Sequence, residues 1–449
     1  MGIYTAEYTK AFNEFVLHKR KPSAKKLDMV NFRDFYLKKA RENNLPVEIV
    51  VAVKDDFRKL EKILLKFSDI RLSLPKVGII GIEATPDIAD FVLYGIKDDN
   101  RYKKQKHSIH DYFVTKNFND LIYGASLADV FSLDFKKREK PAIPEILGLD
   151  LWNLDAIGAN EAMEYADGSN IEVAIIDTGV DYTHSDLADR FGHDKGYDFI
   201  NNDSLPMDEN GHGTHVAGIV AGSKTGIARN STLYALRVLD RDGYGSELDV
   251  IRAISYAIDK GYDIINMSLG SPFRSSGLES VCNSAYEHGL SLVAAAGNEE
   301  FGESYPASYG KSVIATAAID SDLKHASFSN ICETNDISAP GVDVASTYLG
   351  ETYEVFSGTS MAAPHVAGTL ALLLSLNKDS SPDLREDIIK RFAQKLDNPS
   401  QYDDSSVFGA GLLRADEIMK HAKNFKKIGK ILKKKYSSKK HRWYYGRSK

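Results

Sequence analysis

The sequence predicts an α/β protein in which a doubly wound, mostly parallel sheet over residues 145–419 follows a small α+β domain over residues 46–140. From residue 151 onward, short apolar runs alternate with helix-length stretches of small residues, which is typical of such a sheet. The upstream runs follow the β-α-β-β-α-β order of a split-βαβ sandwich. A helical N-terminal extension over residues 1–45 and a basic C-terminal tail over residues 420–449 flank the two domains.

Charged and aromatic residues alternate through the N-terminal extension, which favours two short helices. In the small α+β domain, apolar runs predict strands at residues 47–53, 70–74, 77–82 and 128–134. Helical periodicity predicts helices at residues 57–67 and 86–94. The Lys-rich and Tyr-rich stretch 97–123 has no place in this pattern, so it is interpreted as an insertion.

In the larger domain, uninterrupted apolar runs predict buried parallel strands. These strands span residues 171–176, 232–238, 263–267, 290–296 and 312–317. Stretches of small residues predict helices over residues 212–221, 247–260, 277–288 and 360–376. Ligands of such sheets bind beyond the carboxyl ends of the strands. Asp177, Ser268 and Asn298 all come at or just after a predicted strand end, so we expect a site at that edge.

The composition is that of a globular protein, with 43% hydrophobic and 27% charged residues in a chain of 449. No run approaches the roughly 20 apolar residues that span a bilayer, and the first thirty residues lack the pattern of a secretory signal. We therefore expect no transmembrane segment and an intracellular location, although leaderless secretion stays open. Two cysteines, Cys282 and Cys332, allow one disulfide at most and are predicted to be buried free thiols.

Charge is distributed unevenly, because residues 420–449 hold thirteen Lys or Arg and no Asp or Glu in a chain of net charge -6. The tail also has helical apolar spacing at Phe425, Ile428, Ile431 and Leu432. Basic amphipathic segments bind anionic lipid surfaces or nucleic acid. The alternative is a solvated helix, or a tail that folds back on the acidic body.

The segment 358–368, Gly-Thr-Ser-Met-Ala-Ala-Pro-His-Val-Ala-Gly, places Ser360 between a tight turn and an apolar helix. A serine hydroxyl becomes a nucleophile only when a base takes its proton and a third group orients that base. His212 is the candidate base, since glycines on both sides leave room for a substrate. Asp177, at the end of a buried strand, is the candidate orienting group. Asp, His, Ser is one of three chain orders in which this triad is found.

These three motifs resemble those of the subtilisin-like serine protease family, the subtilases, and the resemblance extends from about residue 152 to residue 419. It implies a serine endopeptidase in which Ser360 attacks the peptide carbonyl, His212 accepts the proton and Asp177 orients the imidazole. Asn298 matches the asparagine that, with the Ser360 backbone N–H, forms the family's oxyanion hole. Four other residues of these motifs are left without a catalytic task and are interpreted as structural: His215, His365, Asp181 and His184.

The resemblance also implies where a substrate would bind. The segments Ser268-Leu269-Gly270 and Ala295-Ala296-Gly297 match the two that flank the family's specificity pocket, and an extended peptide would pair with them as an added strand. Ser304 falls at the pocket floor and Glu299 near its rim. These residues predict broad cleavage after large apolar residues, with basic residues tolerated.

Metal sites match the family less well, and no cofactor is expected to be required. The link 222–232 lacks the long loop that supplies a tight calcium site in many relatives, although Asp186 aligns with a ligand of that site. Asp336, with carbonyls near Ala307 and Tyr309, aligns with a weaker cation site. A calcium ion at Asp336 is therefore the alternative to a metal-free protein.

The small α+β domain resembles the family's inhibitory propeptide in the order of its elements. This implies a zymogen whose Ser360 cuts its own chain between about Phe135 and Leu149, after which the domain acts as an intramolecular inhibitor. A regulatory domain with no inhibitory role remains an alternative. For the whole chain, the alternative is a catalytically idle scaffold that docks on anionic surfaces through its basic tail.

Overall fold

The computed structural model describes residues 37–38, 40, 47–53, 57–65, 68–85, 89, 92, 122–127, 130–132, 136–137 and 151–422. Most of the predicted N-terminal extension and insertion, and the tail after Ala422, lie outside these residues. So does most of the helix predicted at residues 86–94, of which residues 89 and 92 are helical.

The N-terminal part forms an antiparallel sheet in the order β2-β3-β1-β4. Its elements are β1 (Val47–Val53), α1 (Phe57–Leu64), β2 (Asp69–Leu74), β3 (Ile79–Ala84) and β4 (Ile122–Leu127). The strand predicted at 128–134 forms as a shorter strand, but it does not complete this sheet. The sheet edge beside β1 is filled by β4, which starts inside the predicted insertion, and the chain then forms a separate strand, β5 (Val130–Ser132).

Two short strands carry the chain from this sheet across the larger domain. These are β5 and β6 (Lys136–Lys137). β5 pairs antiparallel with β10 (Tyr244–Ser246), and β6 pairs antiparallel with the end of β16 (Thr352–Ser357).

The larger domain is built on a seven-stranded sheet in the order β14-β13-β12-β11-β7-β9-β8, in which every neighbouring pair is parallel. Its strands are β7 (Glu172–Asp177), β8 (Gly196–Asp198), β9 (Thr232–Arg237), β11 (Ile264–Met267), β12 (Ser291–Ala295), β13 (Ile314–Ile319) and β14 (Ile337–Pro340). A hairpin of β15 (Val344–Tyr348) and β16 follows. The five predicted strands are confirmed to within two residues at each end.

Helices cover both faces of this sheet, as the predicted doubly wound fold requires. They are α2 (Trp152–Ala156), α3 (Ala159–Met163), α4 (His212–Ala221), α5 (Glu247–Lys260), α6 (Ser276–Glu287), α7 (Thr359–Leu376), α8 (Pro382–Arg391), α9 (Asp404–Phe408) and α10 (Ala415–Ala422). Successive strand side chains point to opposite faces, so Val173 and Ile175 lie in the core with α4 and α7, whereas Ala174 and Ile176 lie in the core with α5 and α6.

The longest helix, α7, is the core of the first face. In the part of the chain that the structure describes, it is the one helix long and apolar enough to cross a membrane, and 89% of it is buried inside the fold. It packs against α4, and a Cβ at Gly368 would lie 3.2 Å from the carbonyl oxygen of Val220. The apolar run at residues 360–376 is therefore a core helix.

The N-terminal sheet docks on the second face, over α5 and α6. Val50 and Leu72 share a hydrophobic core with Leu248 and Leu278 of these helices. At the edge of this contact the Ser246 hydroxyl donates to the Glu48 carboxylate at 2.9 Å. Gly277 makes the approach close, since a Cβ there would lie 2.1 Å from Cγ1 of Val50.

The two cysteines are free thiols. Cys282 is buried, as predicted, but Cys332 is partly exposed and its sulfur lies 3.1 Å from the Thr334 hydroxyl. The prediction of two buried thiols was therefore wrong for Cys332, which lies in a loop after β13.

Candidate active site

Asp177 is the last residue of β7, and its side chain has no solvent exposure. Its Oδ1 accepts hydrogen bonds from the Thr178 backbone N–H at 2.7 Å and from His212 Nδ1 at 2.8 Å. Two donors on one oxygen stabilise a carboxylate that burial would otherwise penalise.

His212 opens α4, where a left-handed glycine, Gly211, turns the chain into the helix. The next residue fixes how close the helix comes to β7. A Cβ at Gly213 would lie 2.0 Å from the Gly179 carbonyl oxygen, while the Gly213 N–H donates to the Thr178 hydroxyl at 2.9 Å. Only glycine allows this approach, and the approach brings the imidazole to Asp177.

Ser360 is the second residue of α7 and is buried. Its hydroxyl donates to the Ser268 carbonyl at 3.1 Å, while the Ser268 hydroxyl donates to the Ser360 carbonyl at 2.8 Å. Ser268 comes directly after β11, so this reciprocal pair ties the start of α7 to a strand end. Transfer of the Ser360 proton to His212 requires the hydroxyl to turn from Ser268 toward Nε2.

Asn298 follows β12 and is oriented by the residue that precedes Ser360. Its Oδ1 accepts from the Thr359 backbone N–H at 2.8 Å and lies 3.0 Å from the Thr359 hydroxyl. Since the backbone N–H can only donate, this atom is the amide oxygen. The amide nitrogen Nδ2 is thereby left to donate elsewhere, which is what an oxyanion hole needs.

The two segments predicted to flank the substrate lie along neighbouring strand ends. Residues 268–270 follow β11, and residues 295–297 begin at the last residue of β12. Ser304 lies against the first segment, since a Cβ at Gly270 would come 2.3 Å from its hydroxyl oxygen. The backbone N–H of Ser271 donates to the Tyr305 carbonyl, and the N–H of Tyr305 donates to the Ser271 carbonyl. These two bonds hold Ser304 beside the segment 268–270.

The predicted structural histidines are buried and bonded to backbone. The His215 ring stacks on Phe356 with centroids 4.4 Å apart, and its Nε2 donates to the carbonyls of Val344 and Glu354, each at 3.1 Å. Burial, aided by the nearby His212, lowers the pKa of His215 to about 3. Burial also lowers the pKa of His365 to about 4. Both rings are therefore neutral at pH 7.

The other two residues interpreted as structural hold loops. Asp181 accepts from the Thr183 hydroxyl at 2.6 Å and from the Gly350 N–H at 3.2 Å. His184 Nε2 lies 3.1 Å from the Thr352 carbonyl oxygen.

Asp336 and Asp186, the two carboxylates that align with the family's cation ligands, lie in different surroundings. Within residues 151–422 and the shorter described segments, no three His, Cys, Asp or Glu side chains are grouped as metal ligands. Asp336 is bonded to the Lys390 ammonium, which also bonds Glu386 at 2.6 Å, and it accepts from the Ala315 N–H at 2.9 Å. Burial raises the pKa of the Asp186 carboxyl.

Three residues of this region were missed by the sequence reasoning. Thr178 and Thr359 stand inside the motifs beside Asp177 and Ser360, so their positions were a usable signal. Asn330 is buried and bonds the backbone N–H of Glu299 through its Oδ1 at 2.7 Å. No local pattern in the sequence marks it.

Comparisons with known proteins agree with this geometry. The sequence model of the subtilase family (peptidase S8) matches residues 168–411. The chain is 46% identical over 241 residues to a thermophilic serine proteinase of Bacillus sp. (strain AK1), covering 52% of this chain and 59% of the relative. It is 41% identical over 259 residues to subtilisin DY of Bacillus licheniformis, covering 56% of this chain and 90% of the relative.

A solved structure adds evidence for the fold. A cold adapted subtilisin-like serine proteinase matches with a TM-score of 0.51 and 33% identity, covering 56% of this chain and 88% of that one. The matched portions leave the N-terminal sheet and the basic tail largely outside the comparison. The chain spans only 59% of the length of the thermophilic relative.

Prediction for His215. The unfolded imidazole binds a proton below about pH 6.5, whereas the folded one stays neutral down to about pH 3, so stability falls as pH falls through this window. His215→Gln should reduce the slope of unfolding free energy against pH by about 1.4 kcal/mol per pH unit between pH 4 and 6. Urea unfolding at several pH values measures the slope.

The matched control is His193→Gln, which removes an exposed imidazole and should keep the wild-type slope. An unchanged slope in His215→Gln would contradict the assignment of His215 as a buried neutral residue.

Proposed function

Because this chain belongs to the subtilase family, we propose that it is a serine endopeptidase that cleaves peptide bonds through Asp177, His212 and Ser360, with Asn298 as an oxyanion donor. The observation that carries the proposal is the 2.8 Å bond between two fully buried groups, Asp177 Oδ1 and His212 Nδ1. A buried carboxylate on Nδ1 fixes the tautomer that leaves Nε2 as the proton acceptor.

In the proposed reaction, Ser360 Oγ attacks the peptide carbonyl while its proton passes to His212 Nε2. Asp177 stabilises the resulting imidazolium. The oxyanion receives hydrogen bonds from Asn298 Nδ2 and the Ser360 backbone N–H. His212 then gives its proton to the leaving amine. Water next attacks the acyl-enzyme while His212 takes a proton from it, and His212 returns that proton to Ser360 Oγ as the acyl group leaves.

Prediction for the nucleophile. A fluorophosphonate probe should label the wild-type chain, because only a serine activated by a base reacts with it. Ser360→Ala should abolish labelling. Ser375→Ala, on the same helix α7 with its hydroxyl bonded to the Leu372 carbonyl at 2.7 Å, is the matched control and should label like wild type. Equal labelling of the wild type and Ser360→Ala would end the proposal.

We also propose that the chain is a zymogen that processes itself, with its N-terminal domain as intramolecular inhibitor. Support comes from the two short strands β5 and β6, which pair with strands of the larger domain. β5 pairs with residues 244–246 and β6 pairs with Phe356 and Ser357, three residues before Ser360. An extended substrate binds a protease by just such strand addition. The bond presented to Ser360 would then lie between residues 132 and 136, at the start of or just before the interval predicted from sequence.

Prediction for self-processing. Wild-type chain should yield a C-terminal product whose first residue is one of 133–136, and Ser360→Ala should remain at 49.7 kDa. Mass spectrometry of intact products and N-terminal sequencing measure both. Full-length chain from both proteins would end the proposal of self-processing. A new N-terminus after residue 137 would contradict the proposed position of the scissile bond but not the proposed self-cleavage.

We propose that the protein needs no metal ion, since the Lys390 ammonium already forms ion pairs with both Asp336 and Glu386. The melting temperature should be the same, within about 1 °C, in excess EDTA and in millimolar calcium. Lys390→Met, which removes the ammonium from two partly buried carboxylates, should lower the melting temperature in EDTA. Calcium-dependent melting of the wild type would instead support a site at Asp336.

Broad specificity, the intracellular location and binding of the basic tail to anionic surfaces or nucleic acid stay predictions. Residues 423–449 of the tail lie outside the described residues, and Lys420 is paired with Glu417 at 2.9 Å.

A further inference from the structure

The backbone of the loop that carries Asn298 has an intrinsically unfavourable conformation. Three of its residues lie in the left-handed region: Gly297 at φ +103°, Glu300 at φ +69° and Gly302 at φ +107°. Glu300 has a Cβ, which disfavours that region. The conformation must therefore be stabilised by contacts from other parts of the chain.

Asn330 supplies these contacts from a loop between β13 and β14, and its side chain is 1% exposed. Its Oδ1 accepts from the Glu299 backbone N–H at 2.7 Å. Its Nδ2 donates to the Glu299 carboxylate at 2.8 Å and to the Gly302 carbonyl at 3.2 Å. Its own backbone N–H donates to the Gly297 carbonyl at 3.0 Å. The bonds fall on both sides of Asn298 in the sequence.

Gly297 lets the Asn330 amide come this close. A Cβ at residue 297 would lie 2.4 Å from Asn330 Nδ2 and 2.7 Å from Glu299 Oε2. The amide therefore packs directly beneath the peptide that precedes Asn298.

Asn298 is thus held from two directions. Thr359, one residue before Ser360, fixes its amide oxygen, while Asn330 fixes the backbone on either side of it. Hydrogen-bond donors stabilise a developing oxyanion only when they are already in place, and a displacement of about 1 Å costs up to about 100-fold in rate.

We propose that Asn330 is a positioning residue for the oxyanion hole, acting through Asn298 without touching the substrate. This inference rests on the proposed peptidase function. It assigns to a buried side chain, 30 positions before Ser360 in the chain, a share of the transition-state stabilisation.

The test is a double-mutant cycle on the full chain with a chromogenic peptide substrate. Asn330→Ala should lower kcat by about 10-fold to 100-fold and change KM by less than about threefold, because the lost interaction acts in the transition state. In an Asn298→Ala background, the same substitution should lower kcat by less than about twofold. An equal fold-loss in both backgrounds, or a loss confined to KM, would overturn the proposal.

Asn335→Ala is the matched control for general loosening. This buried asparagine in the same loop donates to the carbonyls of Asn330 and Ser406, each at 2.8 Å, and both acceptors lie outside residues 297–302. It should lower the melting temperature while kcat stays within about twofold of wild type. A kcat loss as large as that of Asn330→Ala would show that any loosening of this loop suffices, and would overturn the specific role of Asn330.

Asn330→Ser provides a second variant if the alanine substitution prevents folding. The serine side chain is too short for its hydroxyl to bond Glu299 and Gly302 together, so we expect the same loss of kcat. Because serine keeps a polar group at this buried position, the loss of stability should be smaller. Failure of the proposed function is distinguishable, since it would appear as wild-type chain that neither reacts with the fluorophosphonate nor turns over the peptide.

Discussion

The buried hydrogen bond between Asp177 and His212 is the interaction on which the rest of the site depends. A carboxylate without solvent costs several kcal/mol unless donors replace the lost water. At Asp177 the donors are the Thr178 backbone N–H and the His212 imidazole. The end of β7 and the start of α4 must therefore lie close together. Gly213 and the Thr178 hydroxyl fit this requirement, because they set how closely α4 approaches β7.

The parallel arrangement of the strands explains why the candidate catalytic residues lie at one edge of the sheet. The carboxyl ends of neighbouring parallel strands lie on one edge, so Asp177, Ser268 and Asn298 are brought together from three adjacent strands, β7, β11 and β12. The α7 N-terminus adds Ser360 as the second residue of the helix. The first backbone N–H groups of a helix have no intrahelical partner, and the helix dipole there favours negative charge. The fold thus supplies an electropositive position beside a nucleophile before any substrate binds.

Sequence reasoning found the parts whose signal is local. The runs around Asp177, His212 and Ser360 each combine an apolar element with glycines, so both the elements and the residues could be predicted. Asn330 and Lys390 could not, because their partners lie 31 and 54 positions away and neither stands in a periodic or glycine-rich pattern. The strand predicted at 128–134 does form, as β5, but its pairing partner could not be predicted, for a related reason. An apolar run predicts an extended backbone but not which edge it pairs with, and β4 occupies the edge beside β1.

β5 pairs with the edge of β10, and this pairing limits the access of other peptides to that edge. One strand edge accepts one partner, so a peptide that pairs with residues 244–246 must displace β5. While β5 is covalently joined to a sheet docked on α5 and α6, its effective concentration at β10 is high and an outside peptide competes poorly. Cutting the chain after β5 does not remove this advantage, because Val50 and Leu72 still pack against Leu248 and Leu278. Under the proposed self-processing, the strength of that docking, more than the cut itself, would decide when the cleft becomes available to other substrates.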